Sequence, residues 1–145
     1  MNASIGRLFS GLQSSSSALR AERVRMDTIA ENLAGARVTR TPEGGPYRRK
    51  LVQFEPLLRQ AADGTSEVVG VRAAHVVPDY ETPMEKLQIV GHPDADENGM
   101  VTMPNVNTLA EMADMITAMR TYEANLGAQR NFVERVERVL QFARS

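Results

Sequence analysis

All seven prolines of this chain (Pro42, Pro46, Pro56, Pro78, Pro83, Pro93 and Pro104) fall between residues 42 and 104. A proline inside a helix removes a backbone donor and clashes with the preceding turn. Two proline-free arms of 41 residues flanking a proline-rich middle therefore predict helix, then β or irregular structure, then helix again. The expected organisation is an N-terminal helical arm over 1–37, a β-rich and extended middle module over 38–104, and a C-terminal helical arm over 105–145. Charge divides along the same lines. The first 41 residues carry six Arg against three acids, the middle six basic against ten acidic residues, and the last 41 five of each.

A length of 145 residues with 42% apolar content suits one domain, or one domain with extended arms. The absence of cysteine excludes a disulfide framework, a thiolate zinc site and a thiol nucleophile. A net charge of −1 offers no basic footprint for a phosphate backbone, so no nucleic-acid partner is expected. No apolar run approaches the ~18 residues of a membrane span, and no membrane insertion is expected. The first ten residues alternate apolar and polar types, without the continuous apolar stretch of ~7 to 15 residues that a secretory signal needs. Any export is expected to proceed without a cleaved signal.

In the N-terminal arm Ile5, Leu12, Leu19, Met26 and Leu33 recur every seven residues, and Leu8, Ser15, Glu22, Ile29 and Ala36 follow each by three. This is a heptad-like stripe whose second register is half polar, so the helix is expected to depend on partners. The run Ser14 to Ser17 consists of small polar residues expected to let helices approach closely. In the C-terminal arm Thr108 and Glu111 have capping-box spacing, which sets the helix start near residue 108. From there Met112, Met119, Leu126, Val133 and Leu140 form one register, and Met115, Tyr122, Gln129, Val136 and Ala143 the other, with Ile116, Phe132, Val139 and Phe142 alongside. Such a face is wider than one partner helix covers. Five methionines (Met100, Met103, Met112, Met115 and Met119) crowd into twenty residues. They read either as core filling or as a surface for similar but non-identical neighbours; with no Cys or His among them they do not read as a metal box.

The middle holds two β-type runs, Leu51 to Phe54 and Val68 to Val77, bounded by the turn-prone stretches Glu43-Gly44-Gly45-Pro46 and Ala62-Asp63-Gly64-Thr65. From Pro78 to Pro104 no period is sustained, and an extended loop is expected. The fold class is thus mainly α with a small β module: long terminal helices packed as a coiled-coil-like layer, and a middle of short strands, hairpins and extended loop.

Chemistry is sparse. Asp94, Asp96, Asn98 and Gly99 match the opening of a calcium loop, but position twelve is Asn105, and Pro93 and Pro104 deny it flanking helices, so the segment reads as a solvated acidic turn. His75 and His92 lack ligand or catalytic partners at useful spacing and read as structural. Gly44-Gly45 has neither the spacing nor the lysine of a phosphate loop, and no nucleophile elbow is present. Arg48-Arg49-Lys50 beside Tyr47 is the densest basic patch; it reads as a solvated turn or strand flank, or as a salt-bridging contact to another subunit. The expectation is no catalytic residue, no cofactor and no metal, and a protein that is not an enzyme.

Several segments together resemble the bacterial flagellar axial proteins, the rod and hook subunits. Ile29 to Ala36, with Asn32-Leu33-Ala34-Gly35 at its centre, is similar to that family's Asn-Leu-Ala-Asn signature, and Pro46-Tyr47-Arg48-Arg49-Lys50 through Val52-Gln53-Phe54-Glu55 to its following tyrosine-basic strand. Gly91 to Asp96, Gly99, Val101 and Pro104-Asn105-Val106-Asn107 resemble a rod-protein loop, and Glu111 to Met115 with Arg120 to Asn125 the C-terminal helix. Gly35 stands where the signature has its second asparagine, and glycine there would permit a left-handed helix exit.

The resemblance implies a structural subunit of the proximal rod of the flagellar basal body, which spans the periplasm. Its terminal helices would assemble helically in an inner layer. The implied partners are copies of itself, other proximal and distal rod subunits, the adaptor at the rod base and the flagellar type III export apparatus. Combined with the heptads it gives a candidate assembly interface of Ile5, Leu8, Leu12, Leu19, Met26, Ile29, Asn32, Leu33, Met112, Met115, Met119, Tyr122, Asn125, Leu126, Val133, Val136 and Leu140. A coiled-coil adaptor, dimerising through its terminal helices and presenting the β module, is the rival reading.

Overall fold

A computed structural model of the chain describes residues 2–60 and 64–144, with side chains described for 11–60 and 64–142. The element order is α1 (Asn2–Gly35), β1 (Lys50–Gln60), β2 (Ser66–Pro78), β3 (Lys86–Gln88), β4 (Met100–Thr102) and α2 (Thr108–Arg144). The helix, β, helix partition expected from the prolines is the observed one. β1 pairs with β2 and β3 with β4, giving two separate two-stranded sheets. The turn at Ala62 and Asp63 lies outside the described residues.

Two details of the middle differ from the sequence reading. β1 does not stop at Phe54 but continues through Pro56 to Gln60. Proline lacks a ladder donor and is tolerated only at a sheet edge, and in a two-stranded sheet every strand is an edge. Between Pro78 and Pro104, where an extended loop was expected, β3 and β4 pair antiparallel with Leu87 opposite Val101. Strands of three residues are too short to print a period on the sequence.

The turn before β1 is made by Gly44 and Gly45, both with positive φ (93° and 76°), which lets the Thr41 N–H reach the Gly45 carbonyl at 2.8 Å. The start of α2 corrects the capping-box reading by one residue. The Oδ1 of Asn107, not Thr108, accepts from the N–H groups of Leu109 and Ala110 (3.1 Å each). Glu111 does not reach back to the helix end; it turns inward. Asn107→Ala is expected to lower stability by about 1 kcal/mol, and Thr108→Ala by a few tenths at most. Urea unfolding midpoints of the two variants check this.

The chain forms two compact units. One comprises residues up to Arg25, Phe54–Ala74 and the chain from Thr117; the other comprises Met26–Gln53 and His75–Ile116. In the first, Ser17, Ala21, Val69 and Ala118 are buried. Ser17 Oγ donates to the Ser14 carbonyl (2.8 Å) and accepts from Val71 N–H (3.1 Å), and a Cβ on Gly70 would collide with it. The small serine run thus admits strand β2, where the sequence suggested a close helix. In the second unit the buried side chains are Thr28, Ile29, Asn32, Asp79, Val101, Pro104, Asn105 and Glu111. That core is mostly polar.

Candidate functional site

The second unit is built around one hydrogen-bonded network that joins the end of α1, the start of β1, the loop after β2 and the first turn of α2. Asn32, 1% exposed, sits at its centre with every polar position used. Its Nδ2 donates to the Lys50 carbonyl (2.9 Å) and to Glu111 Oε2 (3.0 Å). Its Oδ1 accepts from Lys50 N–H (2.8 Å) and the Tyr47 hydroxyl (3.0 Å). By binding both the N–H and the C=O of Lys50, the amide takes the place of a neighbouring strand at the beginning of β1.

Glu111, also 1% exposed, accepts on its other oxygen from Arg49 Nε at 2.6 Å. The Arg49 guanidinium additionally lies 3.5 Å from Asp79 and 3.9 Å from Asp114. Burial works against the Arg49 charge, but the Glu111 hydrogen bond and charge, followed by those of Asp79, hold its pKa above the ordinary value. The Arg49 backbone is fixed too: its N–H donates to Asn105 Oδ1 (2.8 Å) and its carbonyl accepts from Asp79 N–H (2.7 Å). Asn105 Nδ2 donates to the carbonyls of Asp79 and Thr82 (3.0 Å each). Arg48 stacks 4.6 Å from the Tyr80 ring centroid and donates to the Asp79 carbonyl at 3.0 Å. The basic patch is thus a strand flank, and the ion pairs of Arg49 and Lys50 are made within the chain.

Tyr47 is pushed up to about 12, by burial first and then by the charges of Glu31 and Glu111, so its hydroxyl stays a donor to Asn32. Its ring also explains Gly35. That residue ends α1 without a positive φ, so the left-handed exit inferred from sequence is not formed. A Cβ at Gly35 would instead lie 2.5 Å from Tyr47 Cγ. Glycine is needed for the close approach of the ring.

Asp79 is held below the ordinary carboxylate range, chiefly by the Thr82 N–H (3.0 Å) and then the Thr82 hydroxyl (2.7 Å), against the opposing effect of burial; the Glu81 N–H and Arg49 add to the lowering. A depressed folded-state pKa gives stability that is present above the unfolded value of about 3.9 and is lost as pH falls through the folded one. The melting-temperature gap between the parent and Asp79→Asn is therefore expected to be full at about pH 6 and to close below about pH 4. A gap independent of pH in thermal melts would refute this role.

The acidic turn at Asp94 and Asp96 is internally bonded. Asp96 Oδ1 accepts from the N–H groups of Asn98 (2.9 Å) and Met100 (3.0 Å), with Lys86 at 3.5 Å from its other oxygen. Asp94 holds the Thr39 hydroxyl (2.8 Å) and faces Arg40 (3.4 Å). His92 Nδ1 accepts from Asp94 N–H (3.1 Å), a structural role. Among the described residues no cluster of His, Cys, Asp and Glu could hold a metal ion, and no helix is long and apolar enough to cross a membrane.

Of the candidate interface residues, Ile29 and Asn32 are buried in the single chain. Leu12, Leu19, Met26, Leu33, Met115, Tyr122, Asn125 and Leu126 are half-buried, while Met112, Met119, Val133, Val136 and Leu140 are exposed. The side chains of Ile5 and Leu8 lie outside the described residues. Ser15 and Gln129, polar members of the two heptad patterns, line a groove of about 370 Å³ in the first unit together with Gly11, Leu12 and Phe132. Four members of the polar network (Arg49, Asp79, Asn105 and Glu111) were not reached by periodicity, because each belongs to an isolated turn or to the flank of an element.

A chain whose second unit is closed by a polar network, while its helices leave large apolar side chains uncovered, is a subunit made to be completed by neighbours. Known proteins agree. The family model described as flagellar basal body rod FlgEFG protein C-terminal matches residues 97–132. The flagellar basal-body rod protein FlgC of Borreliella burgdorferi is 38% identical, over 81% of this chain and 86% of its own length. That of Aquifex aeolicus is 38% identical over 83% and 86%, and that of Salmonella typhimurium 40% over 76% and 78%. The chain belongs to the flagellar basal-body rod protein FlgC family.

Proposed function

We propose that this chain is a structural subunit of the proximal rod of the flagellar basal body, assembling helically through its terminal helices as part of the drive shaft, with no catalytic role. Family membership supports the rod assignment. The observation that carries the mode of assembly is the uncovered apolar surface of α2. Leu109, Met112 and Ile116 are exposed in its first turns, and Val133, Val136, Val139 and Leu140 towards its other end. A heterologous contact repeated by a non-closing operator would bury such surface between successive subunits. The partners on this reading are copies of the chain, other proximal and distal rod proteins, and the adaptor at the rod base. Delivery to the periplasm is by the flagellar type III export apparatus. The candidate interface is the set of heptad positions of both helices that the single chain leaves uncovered, so that the buried Ile29 and Asn32 fall outside it, with the β module as the outer layer.

Electron microscopy of basal bodies from a strain lacking this chain tests the reading. Structures that stall without a completed rod, and are restored by the intact gene, support it. Complete rods and hooks in the deletion strain would overturn it.

A further inference from the structure

The methionines of α2 are unequally placed. Met112 and Met119, seven residues apart on one heptad register, are 53% and 44% exposed, the two exposed methionines among the described residues. Met26, Met84, Met100, Met103 and Met115 are half-buried, and the Met84 sulfur already accepts from Arg48 at 3.8 Å. A thioether in water is open to two-electron oxidants. Hydrogen peroxide transfers one oxygen atom to the sulfur lone pair, leaving methionine sulfoxide and water, and the product is a polar, chiral group where an apolar one stood. Each side chain is exposed on the α2 surface that the proposed assembly would bury, so the oxidised form would carry a strong acceptor into that contact, beside the apolar Leu109 and Ile116 that offer no side-chain donor.

We infer that Met112 and Met119 are an oxidation-sensitive modification site through which peroxide-class oxidants stop the unassembled chain from being incorporated. This rests on the rod-subunit reading. Leu109, three residues before Met112, and Ile116, four after it, are also exposed but chemically inert, so the sensitivity resides in the sulfurs. Incorporated subunits, with this face covered, are protected; the vulnerable interval lies between folding and docking.

The test has two parts. Peptide mass mapping of the purified full chain after brief peroxide treatment is expected to show one added oxygen at Met112 and Met119 before any half-buried methionine. Oxidation of the half-buried ones first would overturn the site. In a strain lacking the chain, the gene is then induced during a short peroxide exposure and completed rods are counted. The parent sequence is expected to complete at least about tenfold fewer rods than without peroxide, while a Met112→Leu, Met119→Leu variant is spared. A Met112→Gln, Met119→Gln variant, polar without any oxidant, is expected to assemble poorly in untreated cells. Equal loss in the parent and the leucine variant, or normal assembly of the glutamine variant, overturns the inference. Failure of the untreated parent gene to restore rods would refute the rod-subunit reading itself.

Discussion

Replacing Glu111 with alanine is expected to destabilise the second unit by about 2 to 3 kcal/mol, the cost of removing the nearest acid from a partly buried arginine that keeps only its longer contacts. The physical reason is the position of Arg49. Its guanidinium meets Glu111 at 2.6 Å in a site where Glu111 is almost fully covered, and the remaining acids stand farther off, at 3.5 and 3.9 Å. Loss of the carboxylate also orphans one amide hydrogen of Asn32. Asn32→Ala should be nearly as damaging, since four hydrogen bonds vanish together, two of them to the Lys50 backbone. Because the two residues share one network, the double variant should fall short of the sum of the singles by about 0.5 to 3 kcal/mol. Urea unfolding of the four proteins measures this. A Glu111→Ala cost below about 1 kcal/mol would mean that the network does not hold the unit together.

The polar character of this core sets what could be read from the sequence. The helices were legible because their boundaries are imposed by proline and their faces by a seven-residue period, both of which act along the chain. The network was not, because it is assembled from Asn32, Tyr47, Arg49, Asp79, Asn105 and Glu111, whose spacing follows no period and whose partners meet only in space. The Thr108-to-Glu111 spacing shows how a correct local rule can mislead: with Asn107 as the cap, Glu111 is the fourth helical residue, one past the position a capping box requires, and its carboxylate turns inward to Arg49. Gly35 shows the same competition. A glycine at a helix end suggests a left-handed exit, but here the close ring of Tyr47 is the reason for it. The family signature around Asn32 was visible as a resemblance, and only the geometry explains it: one amide binds both polar groups of Lys50 and so fixes the first residue of β1 to the end of α1.

The polar interruptions of the heptads carry a second lesson. Ser15, in the half-polar register of the N-terminal arm, lines a groove together with Gln129 of the C-terminal arm rather than a packed contact. Weakness in a self-contained pair of helices is space for a third, so the same residues that limit the stability of the isolated chain are suited to receiving side chains from a neighbour.

The largest functional effect is expected from Leu140→Asp. Leu140 is 52% exposed in the single chain, on the register that also contains the exposed Val133, and α2 at this point is held by its own backbone ladder and by surface pairs such as Glu134 with Arg138. A substitution at such a position changes the stability of the isolated chain by no more than about 0.5 kcal/mol. If neighbouring subunits cover the face, each copy would have to bury an unpaired carboxylate, at a cost of several kcal/mol that recurs at every step of the polymer. Assembly should then fail completely, with stalled basal bodies and no swimming, while circular dichroism and the melting temperature of the purified monomer stay at parent values. Leu140→Met, apolar and of similar volume, should swim normally. Normal motility of Leu140→Asp would remove this part of α2 from the interface. A folding defect in the isolated monomer would show that the face is already covered within the single chain.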